Sequence, residues 1–232
     1  AEASSTEPRL VKTMLRAAEV TYSYAGKRVL HGVDLTLDRG EIVGLIGPSG
    51  SGKTTLAGVL SGRLLPDSGS VTLDRDPIVT GRDRRRSRIA LVNQSPRDAC
   101  NRRWTLREII AEPLLIGGER DQGVIDERVE DHAKSAMLDA ELLNRRPAEV
   151  SDGQLQRACL ARATVMDPAF LICDEPTSML DPIATAKIVE MLRETVRRDR
   201  GVLFISHDHR LLAACADRTM ALGEMRYQQC HE

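Results

Sequence analysis

An excess of charge of either sign is missing from this chain. Lys+Arg total 33 and Asp+Glu 34, a formal net charge of -1. That balance argues against bulk electrostatic attraction to nucleic acid or anionic lipid. Long apolar runs are missing as well. The apolar stretches Ile42–Ile46, Phe170–Cys173 and Val202–Ile205 fall far short of the about 20 residues a bilayer span takes. No apolar leader opens the chain: Ala1–Pro8 is small and polar, and residues 1–9 read as a flexible N-terminal segment. The first residue is Ala1 rather than methionine, which fits a processed or trimmed chain. The five cysteines (Cys100, Cys159, Cys173, Cys215, Cys230) form no C-x-x-C pair. Their odd number and apolar settings favour buried thiols in a reducing cytosol over disulfides or a metal site. There is no internal repeat. What remains is ordinary for a globular protein, with 41% apolar and 29% charged residues. A length of 232 residues suffices to bury a full core in one large domain or two lobes.

Against this plain background, Gly47-Pro48-Ser49-Gly50-Ser51-Gly52-Lys53-Thr54 stands out. It fits G-x-x-x-x-G-K-[ST], a phosphate-cradling loop. The apolar run Ile42–Ile46 before it reads as a buried strand. Leu56, Val59, Leu60 and Leu64 after it have helical spacing. That strand–loop–helix setting is what the motif requires. Glycines let backbone N–H groups turn inward, and the following helix points its positive end at the phosphates. Lys53 adds a point charge, and the Thr54 hydroxyl can ligate Mg²⁺. Thr55 extends the nucleotide-binding stretch. With only five lysines in the chain (Lys12, Lys27, Lys53, Lys134, Lys187), a chance match is rare.

Along the rest of the chain, Ala17–Tyr24 reads as a strand with Val20, Tyr22 and Tyr24 on one face. Val29–Leu37 reads as a second, and Val71–Leu73 as a short third. The first helix is expected to end at the turn cluster Pro66-Asp67-Ser68-Gly69. Ile89–Val92 is apolar throughout, which predicts a central strand. From Ser95 to about Val150 the pattern is helical. Thr105-Leu106-Arg107-Glu108 has capping-box spacing, and Asp126–Leu143 carries helix-period apolar residues. A helix after Asp152, a strand at Phe170–Cys173 and an amphipathic helix at Asp181–Arg198 follow. Then come a strand at Val202–Ile205, a helix around Leu211–Ala216 and a strand at Thr219–Leu222. Strands alternating with helices in the outer thirds imply an α/β fold, a mostly parallel sheet flanked by helices. The middle block reads as an inserted helical lobe.

Phe170-Leu171-Ile172-Cys173-Asp174-Glu175 puts two carboxylates at the end of an apolar strand. Carboxyl ends of parallel strands are where such folds build sites. Asp174 can hold Mg²⁺ through water, and Glu175 can orient or deprotonate an attacking water.

With these motifs in order, nearly the whole chain resembles the nucleotide-binding subunit of an ATP-binding cassette (ABC) transporter. The resemblance implies a P-loop NTPase (RecA-like) core, a small antiparallel β region near the N-terminus and an inserted α-helical subdomain. It implies one ATPase domain over 10–232, with a core of about 10–94 and 159–232 and a helical part of about 95–158. Asn93-Gln94-Ser95-Pro96 resembles the Q-loop, where Gln94 would reach Mg²⁺ and the attacking water. Val150-Ser151-Asp152-Gly153-Gln154-Leu155-Gln156-Arg157 resembles the signature motif. There Ser151, Asp152, Gly153 and Gln154 would contact ATP held by a second cassette. A Ser hydroxyl and a Gly N–H at a helix start suit a γ-phosphate; a plain Ser N-cap looks the same in sequence. Ser178-Met179-Leu180-Asp181 resembles the D-loop, which carries Ser178 and Asp181 across the pair. Ile205-Ser206-His207-Asp208 resembles the H-switch, with His207 toward the γ-phosphate. Tyr24 matches the aromatic that stacks on adenine, and Tyr22 on the same face competes for that role.

Two features depart from the family. The usual Leu-Ser-Gly-Gly-Gln is here Val-Ser-Asp-Gly-Gln. An inward Asp152 would repel a trans γ-phosphate, and an outward one would not. The chain also stops at Glu232 without the C-terminal extension of many peptide-importer cassettes. Gln94-Ser95-Pro96, Asn101-Arg102 and Thr105–Leu114 resemble the oligopeptide/dipeptide/nickel importer branch. The implied cargo is a peptide, nickel or a metal chelate. The implied partners are a second cassette, identical or different, two transmembrane permease subunits and, indirectly, an extracytoplasmic substrate-binding protein. The implied place is peripheral, on the cytoplasmic face of the inner membrane. Trp104 serves either to anchor the permease contact or to fill the helical lobe. The basic run Arg82–Arg88 lacks interleaved aromatics and reads as a solvated loop, with no nucleic-acid partner. A soluble remodelling ATPase, a non-hydrolysing scaffold and an exporter cassette are the rival readings.

Overall fold

The computed structural model describes residues 13–78 and 88–223. Residues 1–9, Arg82–Ser87 of the basic run and Cys230 lie outside the described residues. The order of elements is β1 (Met14–Tyr24), β2 (Lys27–Asp38), β3 (Ile42–Ile46), α1 (Lys53–Leu60), β4 (Ser68–Leu73), β5 (Asp76–Pro77) and β6 (Ile89–Val92). Then follow α2 (Leu106–Gly117), α3 (Gln122–Ser135), α4 (Asp152–Thr164), β7 (Phe170–Asp174), α5 (Pro182–Arg197), β8 (Gly201–Ile205), α6 (His209–Cys215) and β9 (Arg218–Ala221). Two sheets result. The first is antiparallel, in the order β2-β1-β4-β5; the second is parallel, in the order β6-β7-β8-β3-β9.

Apolar sequence explains where the sheets sit. Every residue of β7 and of β8 is buried, as expected for parallel strands covered on both faces. On one face, Val43, Leu45, Phe170, Ile172 and Leu203 pack with α1 and with the antiparallel sheet through Leu15, Leu37 and Leu73. On the other, Leu171, Val202 and Phe204 meet Ile188 and Leu192 of α5 and Leu212 of α6. A separate cluster joins α2, α3 and α4 through Leu106, Ile110, Val129 and Leu155. Trp104 is half-buried against that cluster. Helix α4 serves two cores, with Leu155 and Ala158 in the helical cluster and Leu160 against the sheet.

Three expectations are corrected. Helix α1 stops at Leu60, short of the Pro66 turn, because Arg63 N and Leu64 N fold back to donate to the Gly58 carbonyl. Strand β6 lies at the sheet edge beside β7, not in the centre. Its apolar character has another cause: Ile89 packs into one core and Val92 into the other, so both faces are covered without a second neighbour. The helix expected at Asp126–Leu143 begins earlier, capped by Asp121, and ends at Ser135. There Met137 takes φ 56, and Leu138 N closes onto the Ala133 carbonyl, a left-handed stop of the usual C-terminal kind. Ala140–Asn144 is a separate 3₁₀ turn. No helix among the described residues is long and apolar enough to cross a membrane.

Candidate functional site

Strands β3, β6, β7 and β8 run in parallel, so their carboxyl ends share one edge. Four loops leave that edge: the phosphate loop after β3, Gln94 after β6, Glu175 after β7 and His207 after β8. They enclose a cavity of about 470 Å³ lined by Gly47, Ser49, Gly50, Gly52, Lys53, Thr54, Thr55, Gln94, Asp174, Glu175 and His207. Residues far apart in sequence, Val29 to His207 at the extremes, thus meet where an α/β sheet builds its ligand crevice.

Each group has a local reason for its position. Gly47 has φ 157, and a Cβ there would lie 2.6 Å from the Leu222 carbonyl oxygen and 2.8 Å from Ser51 Oγ; only glycine leaves the loop room to close. Lys53 Nζ donates to the loop's own carbonyls, Gly47 O at 2.7 Å and Pro48 O at 2.9 Å. Ser51 Oγ is buried with no hydrogen-bond partner among the described residues. An orphaned hydroxyl, a lysine turned back on its own loop and the start of α1 form a cradle suited to an anion.

Asp174 is 3% exposed. Burial holds its carboxyl above the ordinary carboxylate range, opposed by a hydrogen bond from the Thr54 side chain and by the Lys53 charge. A carboxylate beside a hydroxyl at a phosphate loop suits a hard divalent cation. Glu175 is 7% exposed and has φ 51, a left-handed backbone that costs a non-glycine residue about 1–3 kcal/mol. Its N–H donates to the Ile205 carbonyl at 3.0 Å, tying β7 to the end of β8. That tie brings the Glu175 carboxylate within 3.0 Å of His207 Nδ1. A buried carboxylate hydrogen-bonded to an exposed imidazole at the cavity mouth is a geometry for holding a water.

The remaining predicted residues lie elsewhere. Ser151 caps α4: its Oγ accepts from Gln154 N at 3.2 Å, and Gln154 Oε1 accepts from Ser151 N at 2.9 Å. Gly153 abuts the segment that resembles the D-loop, where a Cβ would meet the Met179 carbonyl at 3.0 Å. Ser178 Oγ donates to the Glu175 carbonyl at 3.0 Å, and Asp181 caps α5. None of Ser151, Asp152, Gly153, Gln154, Ser178 or Asp181 lines the cavity. Tyr24 is 52% exposed, stacked edge-on against Tyr22 at 5.0 Å and outside the cavity lining. Sequence reasoning missed Val29, which lines the cavity from β2. A single aliphatic in a strand carries no signal of such a role. It also missed Arg97, which holds Asp152 Oδ1 at 2.5 Å across 55 positions.

Comparison with known proteins agrees with this geometry. The family profile described as "ABC transporter" matches residues 30–178. The nickel import ATP-binding protein NikE of Shigella dysenteriae serotype 1 (strain Sd197) is 36% identical over 226 residues, covering 90% of this chain and 84% of that protein. The dimeric structure of the bacterial ABC transporter cassette MJ0796 superposes with a TM-score of 0.82 at 27% identity, covering 90% of this chain and 94% of that one. A post-hydrolysis dimer of the same cassette, bound to ADP and Pi, gives the same TM-score and coverage. The parallel sheet, the small antiparallel sheet, the helical cluster and the phosphate loop have their counterpart in these relatives, and the chain belongs to the ABC transporter family as one of its ATPase cassettes.

Proposed function

We propose that the chain is the energy-coupling ATPase of a membrane importer for nickel or a small metal chelate. The observation that carries the ATPase chemistry is the convergence of Lys53, Thr54, Gln94, Asp174, Glu175 and His207 on one cavity. Backbone N–H groups of Gly47–Thr54 and the Lys53 ammonium hold the β- and γ-phosphates and offset charge developing on the transferring phosphoryl group. Thr54, Asp174 and Gln94 are the residues that would hold Mg²⁺, which supplies further neutralisation of phosphate charge when bound. Glu175 orients the attacking water and takes its proton; His207, bonded to Glu175, steadies it near the γ-phosphate. Tyr24 offers an exposed ring for adenine.

The pairing reading rests on what the cavity lacks. Ser151, Gly153 and Gln154 sit away from it, at the start of α4, where an N–H-rich helix end suits a phosphate. Each chain therefore carries a phosphate half and a signature half, and a pair of cassettes, identical or different, joins them into composite sites. ATP binding favours the closed pair and hydrolysis the open one. We read residues 10–232 as a single ATPase unit whose helical part, about 95–158, passes this motion to two permease subunits. A substrate-binding protein outside the membrane would select cargo, and the cassette would sit peripherally on the cytoplasmic face. The nickel assignment is supported by the similarity to NikE. Deleting the gene and measuring radioactive nickel uptake tests it: uptake should fall and return with the intact gene but not with Glu175→Gln. Unchanged uptake overturns the cargo assignment, and a purified chain that does not hydrolyse ATP overturns the enzymatic one.

A further inference from the structure

The carboxylate of Asp152 stands between Ser151 and Gly153, the residues proposed above to meet the partner's γ-phosphate. The structure shows where it goes. Arg97, three residues after Gln94, donates from Nε to Asp152 Oδ1 at 2.5 Å. The same guanidinium donates from Nη1 to the Pro147 carbonyl at 3.0 Å and from Nη2 to the Val150 carbonyl at 3.3 Å. Three bonds from one planar fork fix its orientation. Both side chains remain about half exposed, Arg97 at 43% and Asp152 at 47%, so the ion pair adds little to folding. Its consequence is directional: the carboxylate is turned toward the guanidinium and its charge is balanced. Asp152 also lies in the first turn of α4, where the helix end favours an acid. An aspartate at that position is thus well accommodated within its own chain.

The Arg97 segment is itself tied to α4. Gln156 Nε2 donates to the Asn93 carbonyl at 3.4 Å, Arg162 Nη1 to the Ala99 carbonyl at 2.7 Å, and Cys100 Sγ lies 3.4 Å from Cys159 Sγ. The stretch 93–100, which includes Gln94 at the cavity, is therefore fastened along two turns of the helix that begins with Ser151.

We infer that Arg97 is a positioning residue that neutralises and turns aside the Asp152 carboxylate, so that this variant signature segment can receive a phosphate-bearing partner. The inference rests on the trans-contact reading of Ser151–Gln154. Without Arg97, an unbalanced carboxylate would face the trans polyphosphate, and like charges repel.

The test compares ATP hydrolysis by the purified chain with that of Arg97→Ala, Arg97→Lys and Arg97→Ala/Asp152→Gly. A fluorescent ATP analogue measures binding to each chain. At low salt Arg97→Ala should lose about tenfold in kcat while analogue affinity changes little. Adding Asp152→Gly should restore the rate, and Arg97→Lys should recover part of it. The deficit relative to the parent should shrink as salt rises, because screening weakens repulsion; a purely structural role for Arg97 would show no such trend. Full parent activity in Arg97→Ala overturns the inference. So does a double variant as slow as the single one with a salt-independent deficit. A parent chain that binds the analogue yet does not turn over overturns the underlying pair reading, and this inference with it.

Discussion

The phosphate cavity and the signature surface of the same chain are built differently. At the cavity, groups from four strand ends converge; among the described residues Ser51 Oγ is buried without a partner, and Lys53 donates to carbonyls of its own loop. At the signature surface the start of α4 is bonded within the chain. Ser151 and Gln154 satisfy each other, Asp181 caps α5, and Arg97 balances Asp152. None of these residues lines the cavity at the phosphate loop. The first region has the groups of an anion cradle. On the proposed reading, the second meets a nucleotide held by another cassette. Each copy then supplies half of a site.

Variants that act on one region and spare the other sharpen this contrast. The largest effect should come from Glu175→Gln, which keeps the shape of the cavity and removes the base. Steady-state hydrolysis should fall by about 100-fold or more, while ATP affinity stays within a few fold. Normal turnover would remove Glu175 from the reaction. Lys53→Ala comes next. It deletes a charged donor worth about 1.5–3 kcal/mol to the phosphates, so equilibrium titration should show nucleotide binding weaker by about 10- to 100-fold. Unchanged affinity would dissolve the first region as a nucleotide site.

The smallest effect concerns stability. Burial raises the Asp174 carboxyl in the folded chain, so the folded state holds that proton more tightly than the unfolded one. Stability of the nucleotide-free chain is then lost as pH rises from the ordinary Asp value of about 3.9 through the raised folded value. Asp174→Asn removes that loss. Its melting temperature at pH 8 should exceed the parent's by about 2–4 °C for each kcal/mol recovered, and the gap should close below about pH 4. A gap that persists in acid would assign the gain to another cause. The same variant should hydrolyse ATP more slowly, a trade expected where function keeps a charge buried.

Much of the cavity was legible in the sequence because its chemistry is local. A phosphate loop needs its glycines and lysine within eight residues, and the parallel strands that carry Glu175 and His207 are short apolar runs. Tertiary balance was not legible. Ile89–Val92 reads as central because apolar periodicity reports cover on both faces, and helices can supply that cover as well as strands. The end of α3 turns on Met137, a residue with no preference for left-handed backbone. The direction of Asp152 could not be read at all. Its partner lies 55 positions away and is one of many arginines, so no spacing marks it.

The claim that each chain supplies half a site is tested most directly by mixing two inactive variants. Lys53→Ala spoils the phosphate half and keeps the signature half; Gly153→Asp does the reverse. If copies of the chain exchange halves as described, the mixture will hydrolyse ATP well above the sum of the separate variants, with the highest rate near equal amounts. Hydrolysis that never exceeds that sum, at any ratio and at concentrations where the parent is active, would contradict the account.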